Sequence, residues 1–82
     1  METIKLTPKQ NAVIYCLQNG WVFITDMEVK GALVCNNKYE FRINNGLFYR
    51  LIELGLVYQG LVYQEFVLTE LGKRIKTKKI EF

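Results

Sequence analysis

The segment from Asn45 to Leu54 constrains the fold most, because its apolar residues recur with the period of an α-helix. When successive residues are placed about 100° apart on a helical wheel, they separate into two halves without overlap. The apolar half contains Leu47, Phe48, Leu51, Ile52 and Leu54, and the other half contains Asn45, Gly46, Tyr49, Arg50 and Glu53. The pair Asn44-Asn45 favours a helix start and Gly55 a helix end. The pattern predicts a helix with one face in a core and the other open to a partner.

The length of the chain limits it to a single domain. It has 82 residues, of which 50% are apolar, and this is enough for one compact core. No apolar run approaches the roughly 18 residues that a membrane span requires, and the N-terminus lacks a signal-peptide core. We therefore expect one cytoplasmic domain over residues 1–82, with a core at about 6–76 and a basic C-terminal tail at 76–82.

The residues before this helix predict another helix and a β-meander. Thr7, Pro8 and Gln10 are typical of a capping box with proline at the first helical position, and Asn19-Gly20 ends that helix. β-branched and aromatic residues then predict strands at 21–25, 32–35 and 39–43. Asn36-Asn37-Lys38 favours a tight turn, since Asn tolerates positive φ. A short helix within 26–35 is the alternative.

The residues after the central helix predict a β-hairpin and a last helix. Gly55–Gln59 is repeated at once as Gly60–Gln64, and two strands that hinge near Gly60 would form a hairpin at 56–68. Thr69 can cap a final helix with Leu71 and Ile75 on its buried side. The predicted fold is α+β, in the order helix, β-meander, helix, hairpin, helix.

The net charge of +3 is unevenly distributed along the chain. Residues 1–41 carry four Lys against four acids, whereas residues 42–82 carry seven Lys or Arg against four acids. Five of those seven cations are Lys73, Arg74, Lys76, Lys78 and Lys79. Such a cluster attracts nucleic acid or an acidic partner, and it is also typical of a solvated terminal helix.

Residues that could support catalysis or bind a metal are scarce. The sequence has no His, and Cys16 and Cys35 form no CxxC pair, which removes the usual zinc patterns. We expect both thiols to be reduced, although a disulfide between them stays open. Asp26 and Glu28 are typical of a solvated turn. No nucleophile–base pair or glycine-rich phosphate loop is present. We therefore expect no enzyme, no cofactor, no metal and no small-molecule substrate.

Three short motifs between Leu6 and Ile75 resemble those of winged-helix domains. They are Leu6-Thr7-x-x-Gln10, Leu51-x-x-Leu54-Gly55-Leu56-Val57 and Leu68-Thr69-x-x-Gly72-Lys73. In many bacterial winged-helix regulators, the second motif ends the recognition helix and enters the wing, and the third closes the wing and starts the next helix. A typical member has a short helix where residues 21–43 are strand-like. Small phage and toxin-like bacterial variants, which have a β-hairpin there, are more similar.

The resemblance implies that helix 45–54 lies in the major groove of double-stranded DNA. Asn45 would then suit adenine and Arg50 guanine, while Tyr49 would reach a phosphate or a thymine methyl group. Lys73, Arg74 and Lys76 would contact phosphates. The implied function is that of a small transcriptional regulator of phage or mobile-element type. The alternative is that these residues only form a solvated helix face.

The predicted hairpin favours a different partner. No basic residue lies between Arg50 and Lys73, whereas wings that contact DNA usually carry Arg or Lys. Alternation along the strands should expose apolar side chains, and Leu61, Val62 and Tyr63 are the candidates for a protein interface. The chain would then be an adaptor, an inhibitor or a homodimer. Two alternatives stay open. The hairpins could form a dimer that places two basic regions on DNA, or residues 21–43 could cover the hairpin.

Overall fold

A computed structural model describes residues 5–25, 31–62 and 64–80. The described elements are α1 Pro8–Gln18, β1 Val22–Thr25, β2 Ala32–Cys35, β3 Glu40–Ile43, α2 Asn45–Glu53, β4 Val57–Gln59, β5 Glu65–Leu68 and α3 Glu70–Arg74. This confirms the predicted α+β class and the order of its elements. The predictions for the turn at 26–30, with Asp26 and Glu28, and for Tyr63 lie outside the described residues. The alternative prediction, a short helix within 26–35, is wrong for residues 32–35, because they form strand β2.

Within the described residues, the strands form one five-stranded antiparallel sheet in the order β3-β2-β1-β5-β4. The central strand β1 joins the meander to the hairpin. Its Phe23 lies opposite Val34 of β2 on one side and opposite Phe66 of β5 on the other. The sequence predicted the meander and the hairpin separately, but it did not predict this connection.

The core lies between the helices and the sheet face that carries Phe23 and Val34. Phe23, Leu51 of α2, and Val13 and Ile14 of α1 have no exposed surface. The capping box of α1 is present, because Gln10 N–H donates to Thr7 Oγ1 (3.2 Å) and Thr7 N–H donates to Gln10 Oε1 (3.0 Å). None of the described helices is long and apolar enough to cross a membrane.

The prediction for the last helix was partly wrong. Thr69 is its N-cap, as predicted, but α3 has only five residues and Leu71 is 44% exposed. Gly72 is the buried residue instead, and a Cβ at this position would overlap the backbone oxygen of Leu56. The close approach of α3 to Leu56, the residue before β4, therefore requires glycine here.

Two turns form differently from their predictions. Asn36 and Asn37 do not have positive φ; the turn is held by Asn36 Oδ1, which accepts from the N–H groups of Lys38 (2.8 Å) and Tyr39 (2.6 Å). In the hairpin, the described residues of the second copy, Gly60, Leu61, Val62 and Gln64, lie outside the strands, and β5 begins only at Glu65. Among the described non-glycine residues, only Gln64 has a positive φ, of 66°.

The two cysteines differ in their surroundings. Cys16 is fully buried and Cys35 is partly buried on β2, and both are free thiols. Burial raises the pKa of the Cys16 thiol to about 11, because the thiolate would lose its hydration. Cys16 is therefore a neutral core side chain at physiological pH.

Candidate nucleic-acid interface

The exposed face of α2 is fixed by the aromatic core beneath it. Phe48 makes edge-to-face contacts with Phe23, at a ring-centroid distance of 5.6 Å, and with Phe66, at 4.9 Å. Asn44 caps the helix through Oδ1, which accepts from Leu47 N–H at 2.8 Å. These contacts set the rotation of the helix, so that Tyr49 and Arg50 are exposed and Asn45 is partly buried at its start.

Arg50 is paired with a neighbour on the same face. Its Nη1 lies 3.2 Å from Glu53 Oε2, and both side chains are more than half exposed. An exposed pair of this kind contributes about 0–1 kcal/mol and is screened by salt. A base edge or a phosphate can therefore compete with Glu53 for the guanidinium group.

The C-terminal tail, residues 76–80, is tied along α1 by side-chain hydrogen bonds. Asn11 Nδ2 donates to the carbonyl oxygen of Lys78 (3.0 Å), and Lys78 N–H donates to Asn11 Oδ1 (2.7 Å). Two turns further along α1, Gln18 Nε2 donates to the carbonyl oxygens of Gly72 (3.0 Å) and Ile75 (2.8 Å). Thr77 Oγ1 donates to Gln18 Oε1 (2.7 Å). The tail thus has a defined path across the helix.

The sequence interpretation missed these two anchoring residues. Asn11 and Gln18 are seven positions apart, which places them on one side of a helix, and both are amides that can bond to backbone. This spacing was a usable signal. It could not identify the partner, because the hydrogen-bonded pairs lie 54 to 67 residues apart in the chain.

The anchored tail carries three lysines, Lys76, Lys78 and Lys79, here called the basic strip. All three side chains are exposed. Neither 5–25 nor 71–80 contains an Asp or a Glu. Nearby, Lys73 Nζ lies 3.8 Å from Glu70 Oε1, while Arg74 is exposed in the last turn of α3. The positive charge of the strip is therefore not offset by carboxylates on its own segments.

The predicted DNA-contacting residues form two groups. Asn45, Tyr49 and Arg50 lie on α2, whereas Lys73 and Arg74 lie on α3 and Lys76 lies in the tail. Among the described residues, no hydrogen bond or ion pair joins the two groups. An open groove of about 450 Å³ lies between α1, β3 and the start of α2, and Lys9 lies on its wall. We call this the α1–α2 groove.

The hairpin presents a separate, mainly apolar surface that Glu65 borders. Tyr58 and Val62 are more than half exposed and Leu61 is fully exposed; we call these three the hairpin patch. Leu56 and Val57, at the start of the hairpin, are buried, so its apolar side chains do not all face outward. Residues 31–43 do not cover the patch, and no charged residue lies between Leu54 and Gln64. Tyr63, the third candidate interface residue, lies outside the described residues.

No family model, no curated protein and no solved structure matches this chain. Its described residues define the class as a small α+β domain with a five-stranded antiparallel sheet and three helices. In the same residues, no three His, Cys, Asp or Glu side chains lie together as potential metal ligands.

Proposed function

We propose that the chain is a DNA-binding protein and a transcriptional regulator, with α2 facing base edges and the basic strip facing phosphates. The observation that supports the proposal is the anchoring of the tail: hydrogen bonds to Asn11 and Gln18 hold the backbone that carries its cations along α1, and neither 5–25 nor 71–80 contains a carboxylate side chain. Phosphate contacts by Lys and Arg dominate the affinity of proteins for DNA. A tail whose backbone is already held avoids the cost of ordering that backbone at binding, and this favours affinity.

The dimensions and chemistry of α2 support its role as the reading element. A helix of nine residues is about 14 Å long, and the major groove is about 12 Å wide. Arg50 has the donors for guanine, and Asn45 has the amide for adenine. Tyr49 has a hydroxyl group that can reach a phosphate. The order of α2, hairpin and α3 also favours a winged-helix type of arrangement, in which the helix before the hairpin enters the groove.

The test of this function is a fluorescence-anisotropy titration of mixed genomic duplex DNA at about 50 and 200 mM salt, the range in which phosphate contacts are visible. Lys78→Ala should lower the salt slope by about 0.9, the value for one lost contact. It should leave the tail anchored, because Asn11 bonds only to the backbone of Lys78. Lys38→Ala, which removes an exposed cation from the β2–β3 turn, is the matched control. Absence of binding at 50 mM salt would overturn the proposal.

Base reading by α2 needs a separate arm of the same experiment. After selection of a preferred duplex from a random pool, Arg50→Ala should cost about 1–3 kcal/mol on that duplex and relax preference at one position. Glu53→Ala removes the carboxylate paired with Arg50, so it should tighten binding to all duplexes. Equal sequence preference in the parent and Arg50→Ala would remove Arg50 from the interface.

The hairpin patch supports a second candidate function, the binding of a protein partner or of a second copy. Exposed aromatic and aliphatic side chains with an acid beside them and no cation are more typical of protein interfaces than of nucleic-acid interfaces, and Glu65 is the charged residue that borders this patch. Leu61 is fully exposed and Val62 is 61% exposed, and the connection that carries them has no Lys or Arg. In this case the chain would act as an adaptor, an inhibitor or a homodimer.

A further inference from the structure

One face of the sheet carries apolar side chains that the core does not use. Side chains alternate between the two faces along a strand, and paired residues of neighbouring strands share a face. Phe23, Val34 and Phe66 lie on the face that the helices cover, so the residues next to them in each strand lie on the opposite face. We call this opposite face the outer sheet face. Its apolar residues on β1, β2 and β5 are Val22, Ile24, Leu33, Cys35 and Val67.

The apolar residues of the outer sheet face are not part of the described core. Among the described residues, none of the five belongs to the core or packs against it. Val22 is 37% exposed, and the other four are partly buried. Apolar side chains on three neighbouring strands form a continuous patch, and such a patch marks a protein interface.

Two charged residues of opposite sign lie on the outer sheet face. Arg42 on the edge strand β3 lies opposite Leu33, and Glu65 on β5 lies opposite Ile24. Leu33 and Ile24 are themselves paired, so these four residues form one row across the sheet. Neighbouring strands are about 4.8 Å apart, which puts Arg42 and Glu65 about 14 Å apart. They are too distant to pair within one chain, and neither forms an ion pair with another described residue.

A cavity beside Glu65 can take a long side chain. It has a volume of about 500 Å³, and Tyr58, Val62 and Val67 line it together with Glu65. Gly60, which donates its N–H to the carbonyl oxygen of Glu65 (2.9 Å), has no side chain that would close the cavity. We call this the hairpin cavity. An apolar wall with one carboxylate suits arginine, whose stem is apolar and whose guanidinium group pairs with carboxylates.

The row that ends in Arg42 and Glu65 is complementary to a second copy of itself. A two-fold axis that runs along the strands, between β1 and β2, places β3 of one copy over β5 of the other. Arg42 of each copy then faces Glu65 of the other, and Leu33 faces Ile24 between them. Facing sheets pack about 10 Å apart, and an Arg and a Glu side chain together span that distance. Glu40 lies on the edge strand beside Arg42, where its carboxylate can stay in water.

We infer that the outer sheet face joins two copies of this chain, and that Arg42 of each copy enters the hairpin cavity of the other and pairs with Glu65. One surface then serves both copies, as in most homodimers. Eight side-chain positions on four strands cover about 260 Å² of sheet, so the contact is small and the Kd should be on the order of 10 μM. The inference rests on the second candidate function and deepens it, because it commits to a second copy and centres the contact on the sheet.

Charge reversal tests the pairing. In sedimentation velocity between about 1 and 100 μM, the parent should pass from monomer to dimer. Arg42→Glu and Glu65→Arg should each raise the Kd at least about 10-fold, because each places like charges opposite each other at both ends of the row. Lys38→Glu is the matched control, since it reverses an exposed charge in the β2–β3 turn, outside the outer sheet face. It should dimerise like the parent.

An equimolar mixture of the two variants gives the sharpest outcome. In a pair formed by one Arg42→Glu chain and one Glu65→Arg chain, both ends of the row again join opposite charges. The mixture should therefore form dimers at concentrations where each variant alone is a monomer, and this recovery requires both variants to be folded. Absence of recovery, or parental dimerisation of Arg42→Glu, would overturn the inference.

The thiol of Cys35 reports where the contact lies. Cys35 is opposite Val22 and Glu40 on the outer sheet face, and it is a free, partly buried thiol. Its alkylation by iodoacetamide, followed by mass spectrometry, should slow as the parent concentration rises through the Kd. In Arg42→Glu the rate should be the same across that range. A dimer that leaves Cys35 equally reactive would refute the inference, because the contact would then lie elsewhere.

The outcomes separate this interface from the proposed functions. If the parent dimerises and neither charge reversal has an effect, the sheet interface fails, while a dimer through the hairpin patch stands. If the parent is monomeric at about 100 μM, the sheet interface and the homodimer both fail. DNA binding and the binding of a different protein are then unaffected.

Discussion

Replacement of Asn11 by Ala tests whether the tail must be held along α1 for tight binding. Asn11 exchanges two hydrogen bonds with the backbone of Lys78. Each exposed bond of this kind contributes about 0.5–1.5 kcal/mol net, so the pair stabilises the held tail by about 1–3 kcal/mol. A released tail has to be ordered again on DNA. Asn11→Ala should therefore weaken binding by up to this amount, or about 5- to 150-fold.

The same substitution makes a second, independent prediction, because it removes no charge. The tail cations still reach the phosphates once the tail is bound, so the salt slope should equal that of the parent. Lys78→Ala has the opposite signature, with a lower slope and an intact tail. Anisotropy titrations at several salt concentrations distinguish the two, and faster hydrogen exchange at the Lys78 amide reports release of the tail.

The matched control is Asn37→Ala, which removes an exposed asparagine from the β2–β3 turn. It should bind DNA like the parent. Parental affinity in Asn11→Ala, together with fast exchange at the Lys78 amide, would refute the reasoning. The tail would then contribute charge without needing a fixed position.

Three further predictions concern the core, the thiol and the hairpin. Gly72→Ala should lower the free energy of unfolding in urea by about 1–3 kcal/mol, because the new Cβ overlaps the backbone of Leu56. The control is Gly46→Ala on α2, where a Cβ has space, and it should raise the free energy of unfolding by up to about 1 kcal/mol. Cys16 has a pKa raised to about 11 in the folded state, so stability should fall as pH rises from about 9 to 11, where only the unfolded thiol ionises. The slope is at most about 1.4 kcal/mol per pH unit, and urea unfolding of Cys16→Ala should show a shallower fall; an identical fall would refute this assignment. If the hairpin patch joins two copies, Leu61→Glu should convert a dimer into a monomer in sedimentation velocity. Its free energy of unfolding should stay within about 0.5 kcal/mol of the parent's. A parent that is monomeric at about 100 μM would exclude the homodimer.

The elements that could be predicted are those whose interactions stay within a few residues. The cap of α1 involves Thr7 and Gln10, and the cap of α2 involves Asn44 and Leu47, so each lies within one helical turn. The exposed face of α2 could be predicted for the same reason. The apolar residues identify the face that packs on the core, and the remaining residues of the helix form the opposite, exposed face. Asn45, Tyr49 and Arg50 could therefore be selected as candidates without knowledge of the fold.

The repeated pentapeptide shows where local reasoning ends. Gly55–Gln59 contains strand β4, whereas the described residues of the identical copy, 60–62 and 64, lie outside the strands. Val57 lies opposite Leu68 and is buried, but Val62 is 61% exposed. The difference arises from pairing with β5 and packing under the helices, and neither is encoded within the five residues.

The same limit applies to the charge that supports the proposed function. The sequence gives the number of cations in the tail, but a free tail and an anchored tail with equal charge present different surfaces to DNA. Only the bonds from Asn11 and Gln18, which join residues more than 50 positions apart, place Lys78 beside α1. The assignment of Leu71 to the core was wrong for a related reason. The contact with Leu56 that buries Gly72 instead of Leu71 joins residues that are also remote in sequence. The exposed face of α2 is thus a property of a local segment. The place of the tail along α1 is a property of the fold, which is why neutral Asn11 is a sharper test of the proposed interface than any lysine.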